Sequence, residues 1–465
     1  MKQLILINIA ATLAAALGLT SCSSAPMYAS PSLNPSSSRA NLSHPTFWQG
    51  DTTLIWNRLQ HTSSARLMAA SENSSDDNQK AWSQLALISK QDSTRTHALV
   101  NALLAWRTKY PDHPGNALFP ETRALQPLLY PKTPQHIVLL LPLKTGAYRT
   151  SGKRVREGFL NAYYASPSSL RPSISMSDTS FNTDMTALYR HATDQGADFV
   201  IGPLEKNNVR ALGNSGPFNA PVLALNYTHI SAGSLPSQLY QFGLLPEDEI
   251  IQMADRATSR GLSKALIIAP ENTWGKRLTS AFSARWRARG GNIQDTWYFT
   301  QRTNFSQDIA KLLGIDTTAD KKLMTEDNHK TTLEKQRRQD FDVIILFAQP
   351  QSAALIVPTL KYYYVNDVPI YANATVYTGK MAKDVDLNGV TICDVPLNIH
   401  GMGGDAESRR LYAVGQDAYL LSQSMQRLAD LPNFPIYGKT GALTLSSTHQ
   451  IHRRVPCVTI HNGRV

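Results

Sequence analysis

The sequence predicts an α/β protein with mainly parallel sheets arranged in two lobes, preceded by a short all-α region. After Pro134, short apolar runs recur without polar alternation, which is typical of strands covered on both faces. Each run follows a segment with helical periodicity, the order expected of parallel sheets flanked by helices. The chain has 465 residues, 42% of them hydrophobic. A chain of this length exceeds what a single hydrophobic core normally holds, which favours two or three domains.

The first residues have the pattern of an export signal. Lys2 precedes a mostly apolar run over residues 4–19 that is too short and too interrupted to span a bilayer. The residues LTSC, ending at Cys22, resemble a bacterial lipobox. We therefore expect residues 1–21 to be a lipoprotein signal peptide and Cys22 to be the lipidated first residue; the alternative is an ordinary signal with a chance cysteine. Ser23 follows instead of Asp, which favours the cell outer membrane under the general sorting rule.

A tether and a helical region come next. Residues 22–46 are rich in Ser, Pro, Ala and Asn without an apolar period, which predicts a flexible tether. Residues 47–132 predict a short helical region, and the polar stretch SENSSDDNQK at 71–80 predicts a loop within it. Three segments each offer one apolar face, and the last ends near Pro111: LIWNRLQ, AWSQLALISK and ALVNALLAWRTKYP.

Residues 133–465 form the predicted two-lobed domain, with lobe crossovers expected near 240, 370 and 440. HIVLLLPL at 136–143 predicts a buried strand, and further strands are expected at FVIGPL, PVLALNY, KALIIAP and DVIILFAQP. VREGFLNAYYA predicts a helix with an apolar stripe of Val155, Phe159 and Tyr163. Residues 312–340 are strongly charged and predict a solvent-exposed insertion.

The formal net charge of +11 permits binding to nucleic acid, anionic lipid or an acidic protein. Export argues against nucleic acid. In KRLTSAFSARWRAR, Leu278, Phe282 and Trp286 recur at helical spacing, so the arginines are expected to face water. An acidic partner or a membrane surface stays open.

Three cysteines are too few for a disulfide-rich scaffold. With Cys22 lipidated, Cys393 and Cys457 remain, and they form either one disulfide or two separate buried thiols.

No motif indicates catalysis or a cofactor. The GKT at 438–440 lacks the P-loop glycine, since Asn433 and Pro435 stand in the would-be loop, and GMGGDA at 401–406 is interpreted as a glycine turn. No cluster has zinc-ligand spacing, so no metal site is expected. We therefore expect no enzyme, although a nucleophile and its base need be neighbours only in space. The candidate general bases are isolated in sequence: His136, His191 and His400.

A two-lobed α/β protein has its natural ligand crevice between the lobes, at the carboxyl ends of the strands. In a solute-binding protein, the turns there would hold a small ligand; the alternative is that they are tight turns and packing residues. The candidate cleft residues are Lys144, Thr145, Gly146, Ser151, Gly202, Pro203, Leu204, Asn226, Tyr227, Trp274 and Gly275.

Several segments resemble those of the LppC-type family of lipoprotein activators of penicillin-binding proteins. They are HIVLLLPLKTGAYRTSGKRVREGFLNAYYA, GADFVIGPLEKNNVRAL, PVLALNY, LYQFGLLPEDE and GKTGALTLSSTHQIHRR, and the resemblance covers about residues 95–465. It implies a type I periplasmic-binding fold used as a protein-docking module. It also implies a non-enzymatic protein without a cofactor, which reaches from the outer membrane to a class A penicillin-binding protein and stimulates its transpeptidase in peptidoglycan synthesis. The alternative is a lipid-anchored solute receptor.

The sequence departs from this family ahead of the first strand. Family members carry a long, TPR-like helical domain there, whereas residues 47–132 are expected to be a shortened remnant. The tether has a root-mean-square span of only about 25–30 Å, so it compensates in part for the lost reach.

Overall fold

Helices form the first part of the described chain. The computed structural model describes residue 42 and residues 45–90, 95–181, 184–228, 236–315, 337–400 and 405–465. The signal peptide, Cys22 and nearly all of the tether lie outside these residues, as does most of the charged insertion at 312–340. The helices of this region are α1 (Thr52–Gln60), α2 (Ser64–Asn73), α3 (Asp77–Lys90), α4 (Thr96–Lys109) and the short α5 (Thr122–Leu125).

The loop expected at 71–80 is wrong for most of its length. Helix α2 continues to Asn73 and α3 begins at Asp77, so only residues 74–76 are not helical. The polar residues instead act as a helix cap, because the carboxylate of Asp76 accepts the N–H groups of Asn78 and Gln79.

The first lobe is a five-stranded parallel sheet in the order β2-β1-β3-β4-β5. Residues of β1 alternate between two covered faces, which explains the uninterrupted apolar run: Leu139 packs in the core under α6 and α15, and Leu140 in the core on the other face. The strands are β1 (His136–Leu141), β2 (Ser173–Asp178), β3 (Phe199–Ile201), β4 (Val222–Ala224) and β5 (Leu239–Gln241). The helices are α6 (Arg149–Ala165), α7 (Met185–Asp194) and α8 (Lys206–Gly213), with α15 (Ala406–Asp430) joining later in the chain.

The second lobe is a six-stranded sheet in the order β14-β10-β9-β8-β6-β7, in which only β14 is antiparallel. Its strands are β6 (Lys264–Pro270), β7 (Asn292–Phe299), β8 (Val343–Leu346), β9 (Ile370–Ala372), β10 (Val390–Cys393) and β14 (Cys457–Thr459). Its helices are α9 (Pro246–Thr258), α10 (Thr273–Ala288), α11 (Phe305–Leu312), α12 (Pro350–Tyr362), α13 (Met381–Asp384) and α14 (Pro396–Ile399).

Helix α10 has the predicted buried stripe, since Leu278, Phe282 and Trp286 are fully buried. Its arginines do more than face water. Arg285, and Arg289 just after the helix, both donate to the half-buried carboxylate of Asp255 on α9, at 2.7 to 2.8 Å.

The chain passes between the lobes at three places. It leaves the first sheet after β5, near the expected residue 240. It returns along α15, since Ala406 packs in a core of the second lobe and Val414 in a core of the first lobe. The small antiparallel sheet of β11 (Ile436–Tyr437), β12 (Ala442–Leu445) and β13 (Ile451–Arg454) belongs to the first lobe, so the last passage follows Arg454. These positions replace the expected 370 and 440, because β9 stays within the second sheet and residues 438–440 stay with the first lobe.

Cys393 and Cys457 face each other across β10 and β14 and form a disulfide. It ties the last strand to the second lobe after the chain has crossed. The α/β class, the two lobes of mainly parallel sheet and the preceding helical region are confirmed.

Candidate functional site

The predicted cleft residues of the first lobe lie at the carboxyl ends of β1, β3 and β4. The loop from Lys144 to Gly146 follows β1 and is exposed, and its backbone is held by the next loop of the sheet. The N–H groups of Lys144 and Thr145 donate to Ser180 Oγ at 3.1 and 3.2 Å, and Ser180 Oγ donates to the Asp178 carboxylate. Ser151 lies further on, half-buried in α6. This loop is therefore both accessible and positioned.

The turn of Gly202, Pro203 and Leu204 is buried and packed against β1. Gly202 has a φ of +103°, and a Cβ there would lie 2.1 Å from the Leu140 carbonyl oxygen, so only glycine fits. Asn226 Nδ2 donates to the Leu204 carbonyl oxygen at 3.0 Å, which joins this turn to the end of β4. Contacts within the chain thus occupy the Gly202 N–H and the carbonyl groups of Pro203 and Leu204.

Tyr227 connects the end of β4 to β13. Its hydroxyl donates to the Ile451 carbonyl oxygen at 2.6 Å, and burial raises the pKa of the phenol. This contact joins two segments of the chain that are 224 residues apart.

Trp274 and Gly275 lie in the second lobe, where β6 leads into α10. The Gly275 N–H donates to Asn272 Oδ1, the N-cap of α10, and Trp274 packs on the core that α9 and α10 form with the second sheet. Among the described residues, no hydrogen bond joins this pair to the first-lobe cleft residues. The structure therefore brings together the predicted cleft residues of the first lobe. It shows no hydrogen bond, among the described residues, between them and Trp274 or Gly275. A ligand at these residues remains a prediction.

An ionic cluster lies where the chain crosses between lobes, which we call the crossing cluster: the buried Asp248, Glu249 and Arg453 and the half-exposed His452. Arg453 Nη2 donates to Glu249 Oε1 at 3.2 Å, and the Arg453 backbone N–H donates to Asp248 Oδ2 at 2.9 Å. His452 Nδ1 lies 2.8 Å from Asp248 Oδ1. The cluster thus joins the start of α9, in the second lobe, to the end of β13, in the first.

The pKa values of two groups in the crossing cluster are shifted, those of Glu249 and His452. Burial raises the pKa of Glu249 to about 7, although the Arg453 guanidinium opposes the shift. The hydrogen bond to Asp248 raises the pKa of His452 above its ordinary value. Sequence reasoning did not identify this cluster, although both halves lie in the segments that resemble the family, LYQFGLLPEDE and HQIHRR.

A second buried ion pair fixes the start of α15 to the end of β10. Arg410 donates through Nε and Nη2 to both carboxylate oxygens of Asp394, at 2.9 and 2.7 Å. Asn398 Nδ2 also donates to Asp394, at 2.8 Å. Buried ion pairs therefore hold the passage along α15 and the place where the α9 and β13 passages meet.

The GKT turn binds a carboxylate of its own chain. Asp417 on α15 accepts the N–H of Lys439, and both the N–H and the hydroxyl of Thr440, at 2.6 to 2.7 Å. Burial raises the pKa of Asp417 to about 6. The nucleotide-binding interpretation of this GKT is thereby excluded, because the backbone groups that would hold a phosphate already have a partner.

The candidate general bases and metal ligands of the described residues lie apart from one another. Groups of three or more His, Cys, Asp or Glu side chains that could hold a metal ion do not occur there. His136 Nε2 lies 2.8 Å from Ser175 Oγ, near the amino end of β1 and away from the strand ends where α/β sites form. His191 and His400 are exposed at helix ends.

Comparisons with known proteins agree with this architecture. A sequence model of the LppC lipoprotein family matches residues 40–463. The penicillin-binding protein activator LpoA of Photobacterium profundum is 27% identical over 438 residues, which cover 88% of this chain and 68% of that protein.

Two solved structures from Haemophilus influenzae have the same fold. LpoA in a monoclinic crystal form superposes with a TM-score of 0.59 at 24% identity, covering 88% of this chain and 72% of that one. The C-domain of LpoA, described as a regulator of PBP1A, superposes with a TM-score of 0.55 at 25% identity, covering 71% of this chain and 98% of that one.

Proposed function

This chain belongs to the LppC lipoprotein family, and we propose that it is a non-enzymatic lipoprotein that binds a class A penicillin-binding protein and stimulates its transpeptidase. The observation that carries the proposal is the extent of the family match, which includes the helical region and both lobes. The Photobacterium relative is named an activator and the Haemophilus C-domain a regulator. The alternative of a solute receptor is not favoured by these names.

The geometry of the chain supports a docking role. Buried ion pairs hold two of the passages between lobes, and contacts within the chain occupy much of the predicted cleft. Activation by such a body requires only that it bind the active conformation of the synthase more tightly than the inactive one. No chemical step on this chain is needed.

We also propose that Cys22 carries the lipid anchor and that the protein faces the periplasm from the outer membrane. The LTSC sequence supports the anchor and Ser23 supports the outer membrane. Within the described residues, no helix is long and apolar enough to cross a membrane. Metabolic labelling with a fatty acid tests the anchor, and Cys22→Ser should abolish the label.

The function is tested by titrating residues 38–465 into a class A penicillin-binding protein from the same cell while following binding and the cross-linking of lipid II. We expect saturable binding and increased cross-linking, and penicillin in the same reaction should remove the increase. Absence of both effects, with the synthase active alone, would contradict the proposal. A chain starting at residue 133 is unsuitable, because Leu431 and Phe434 lie in the core of the helical region.

A further inference from the structure

Strand β2 forms an open edge of the first sheet. Ser173 and Thr179 donate their N–H groups toward β1, so the main chains of Ile174 and Met176, at alternate positions, point away from it. No other strand pairs with that edge in the described part of the chain. The register with β1 is continuous over six residues, and SISMSD contains no lysine or proline. Lysine, proline and breaks in register are features that natural edge strands use to prevent further pairing, and β2 lacks them.

The outer edge of the second sheet, β7, has such features. Its register with β6 shifts between Ala265 and Leu266, which marks an irregularity in the ladder. Asp295 on β7 accepts the N–H of Thr296 and pairs with Arg338 at 3.0 Å. The second sheet therefore has a protected edge strand in β7, whereas the edge strand β2 of the first sheet is unprotected.

A stripe of cations runs along α6, which we call the α6 stripe: Arg149, Lys153 and Arg156. Their spacing of four and three residues places them on one helical face. Among the described residues, none of these three side chains makes an ion pair, whereas Arg285 of α10 and Arg289, just after that helix, pair with Asp255. The stripe begins at the helix N-terminus, where the first turn has no acidic residue and the helix dipole disfavours positive charge.

The α6 stripe lies on the side of its helix that faces β2. Gly158 is half a helical turn away from the stripe and touches Tyr412 of α15, so α15 occupies the opposite side. Further along α6, the Tyr163 hydroxyl donates to the Pro172 carbonyl oxygen, immediately before β2. The stripe and the open edge therefore border the same surface.

Apolar side chains are exposed along the same edge. Leu170 precedes β2, Met176 lies within it and Phe181 follows it, with exposed fractions of 68%, 38% and 64%. An added strand would contact apolar groups as well as free main-chain N–H and C=O groups.

We propose that the β2 edge and the α6 stripe together bind an extended, acidic segment of a partner protein, which adds a strand to the first sheet. Main-chain hydrogen bonds would supply affinity and the carboxylates would select the segment and speed its association. The proposal rests on the proposed function, in that the partner carrying the segment is the class A penicillin-binding protein.

The first test changes a single main-chain donor. Because the Met176 N–H points away from β1, Met176→Pro removes no bond of the β1–β2 ladder and blocks only the open edge. Met176→Ala removes the same side chain and keeps the N–H. With the full chain in detergent, we expect Met176→Pro to weaken binding to the synthase at least about tenfold and Met176→Ala by only about two- to threefold.

The second test reverses charge. Lys153→Glu/Arg156→Glu should weaken binding about tenfold at low salt, with the difference shrinking at high salt. The matched control, Arg287→Glu/Lys383→Glu, makes the same change in net charge at exposed positions of the second lobe and should bind as the wild type. Thermal unfolding of all four variants shows whether each one folds.

The outcomes separate the surface from the function. If the wild-type protein binds and folded variants of both kinds bind equally well, the surface is wrong and the proposed function stands. If the wild type neither binds nor stimulates the synthase, both are wrong. If the charge reversal abolishes binding to vesicles with anionic phospholipid and leaves synthase binding intact, the stripe contacts lipid headgroups and the proposal is overturned.

Discussion

At the scale of single residues, Arg453 compensates the buried carboxylates of the crossing cluster. It donates to Glu249 through its side chain and to Asp248 through its backbone, and all three residues are buried. We expect Arg453→Met to lower the free energy of unfolding by about 3–5 kcal/mol, because Glu249 then either stays charged without its partner or has to take up a proton. Chemical denaturation at pH 8, where Glu249 is mostly ionised, measures the loss.

Two variants control this result. Arg287→Met removes an exposed arginine and should change the free energy of unfolding by less than about 0.5 kcal/mol. Glu249→Met/Arg453→Met removes both partners and should recover most of the stability. A double variant as unstable as Arg453→Met would contradict the pairing argument.

Asp417 predicts a pH dependence. Burial raises the pKa of this carboxyl to about 6 in the folded state, so the folded protein binds the proton more tightly than the unfolded chain. Protonation of Asp417 therefore stabilises the folded state as the pH falls from 7 to 4, and this stabilisation is lost as the pH rises. Relative to Asp417→Asn, we expect the wild type to gain about 2 kcal/mol over this range. Parallel stability curves for the two proteins would show that Asp417 does not titrate in this way.

At the scale of elements, α6 and α15 approach each other through reciprocal glycines. A Cβ on Gly415 would lie 1.9 Å from the Val155 carbonyl oxygen, and a Cβ on Gly158 equally close to that of Tyr412. We expect Gly415→Ala to separate the helices and to lower the free energy of unfolding by about 1–3 kcal/mol. The neighbouring Gln416→Ala, which loses one hydrogen bond to Asn161, should cost less than about 1 kcal/mol in the same denaturation experiment. Equal losses would argue against the close approach.

At the scale of the whole molecule, the helical region and the first lobe share a core. Phe434 follows α15 and is fully buried among Trp56, Phe119 and other residues of the helical region. We expect Phe434→Ala to cost about 3–5 kcal/mol and to make α1–α4 exchange amide hydrogens independently of the lobe. The exposed Tyr130→Ala serves as the control. Unchanged protection of α1–α4 in Phe434→Ala would show that this region is stable without the docked ring.

Local patterns predicted much of the fold. The apolar run of β1 and the stripe of Leu278, Phe282 and Trp286 were sufficient because they reflect which faces are covered. Strand β2 was not predicted, because an edge strand with alternating serines has no continuous run and exists through its pairing with β1. The cap at Asp76 was mistaken for a loop, since capping residues and loop residues are the same types.

The candidate site was less predictable than the fold. The predicted strands placed Lys144 to Gly146 and Asn226 at strand ends, but the hydrogen-bond partners of these residues follow from tertiary packing. Tyr227 bonds to a carbonyl 224 residues away, and Asp248 to a histidine 204 residues away. Spacing within a segment carries no information about such partners.

The amino-acid sequence was thus enough to establish the α/β class, the helical region and the LppC resemblance, because hydrophobic periodicity and segment similarity are local properties of a chain. The folded structure alone revealed the crossing cluster, the closed GKT turn and the open edge beside the α6 stripe. Each depends on which distant segments meet, and a charge or an N–H group is satisfied or free only according to what lies beside it in space.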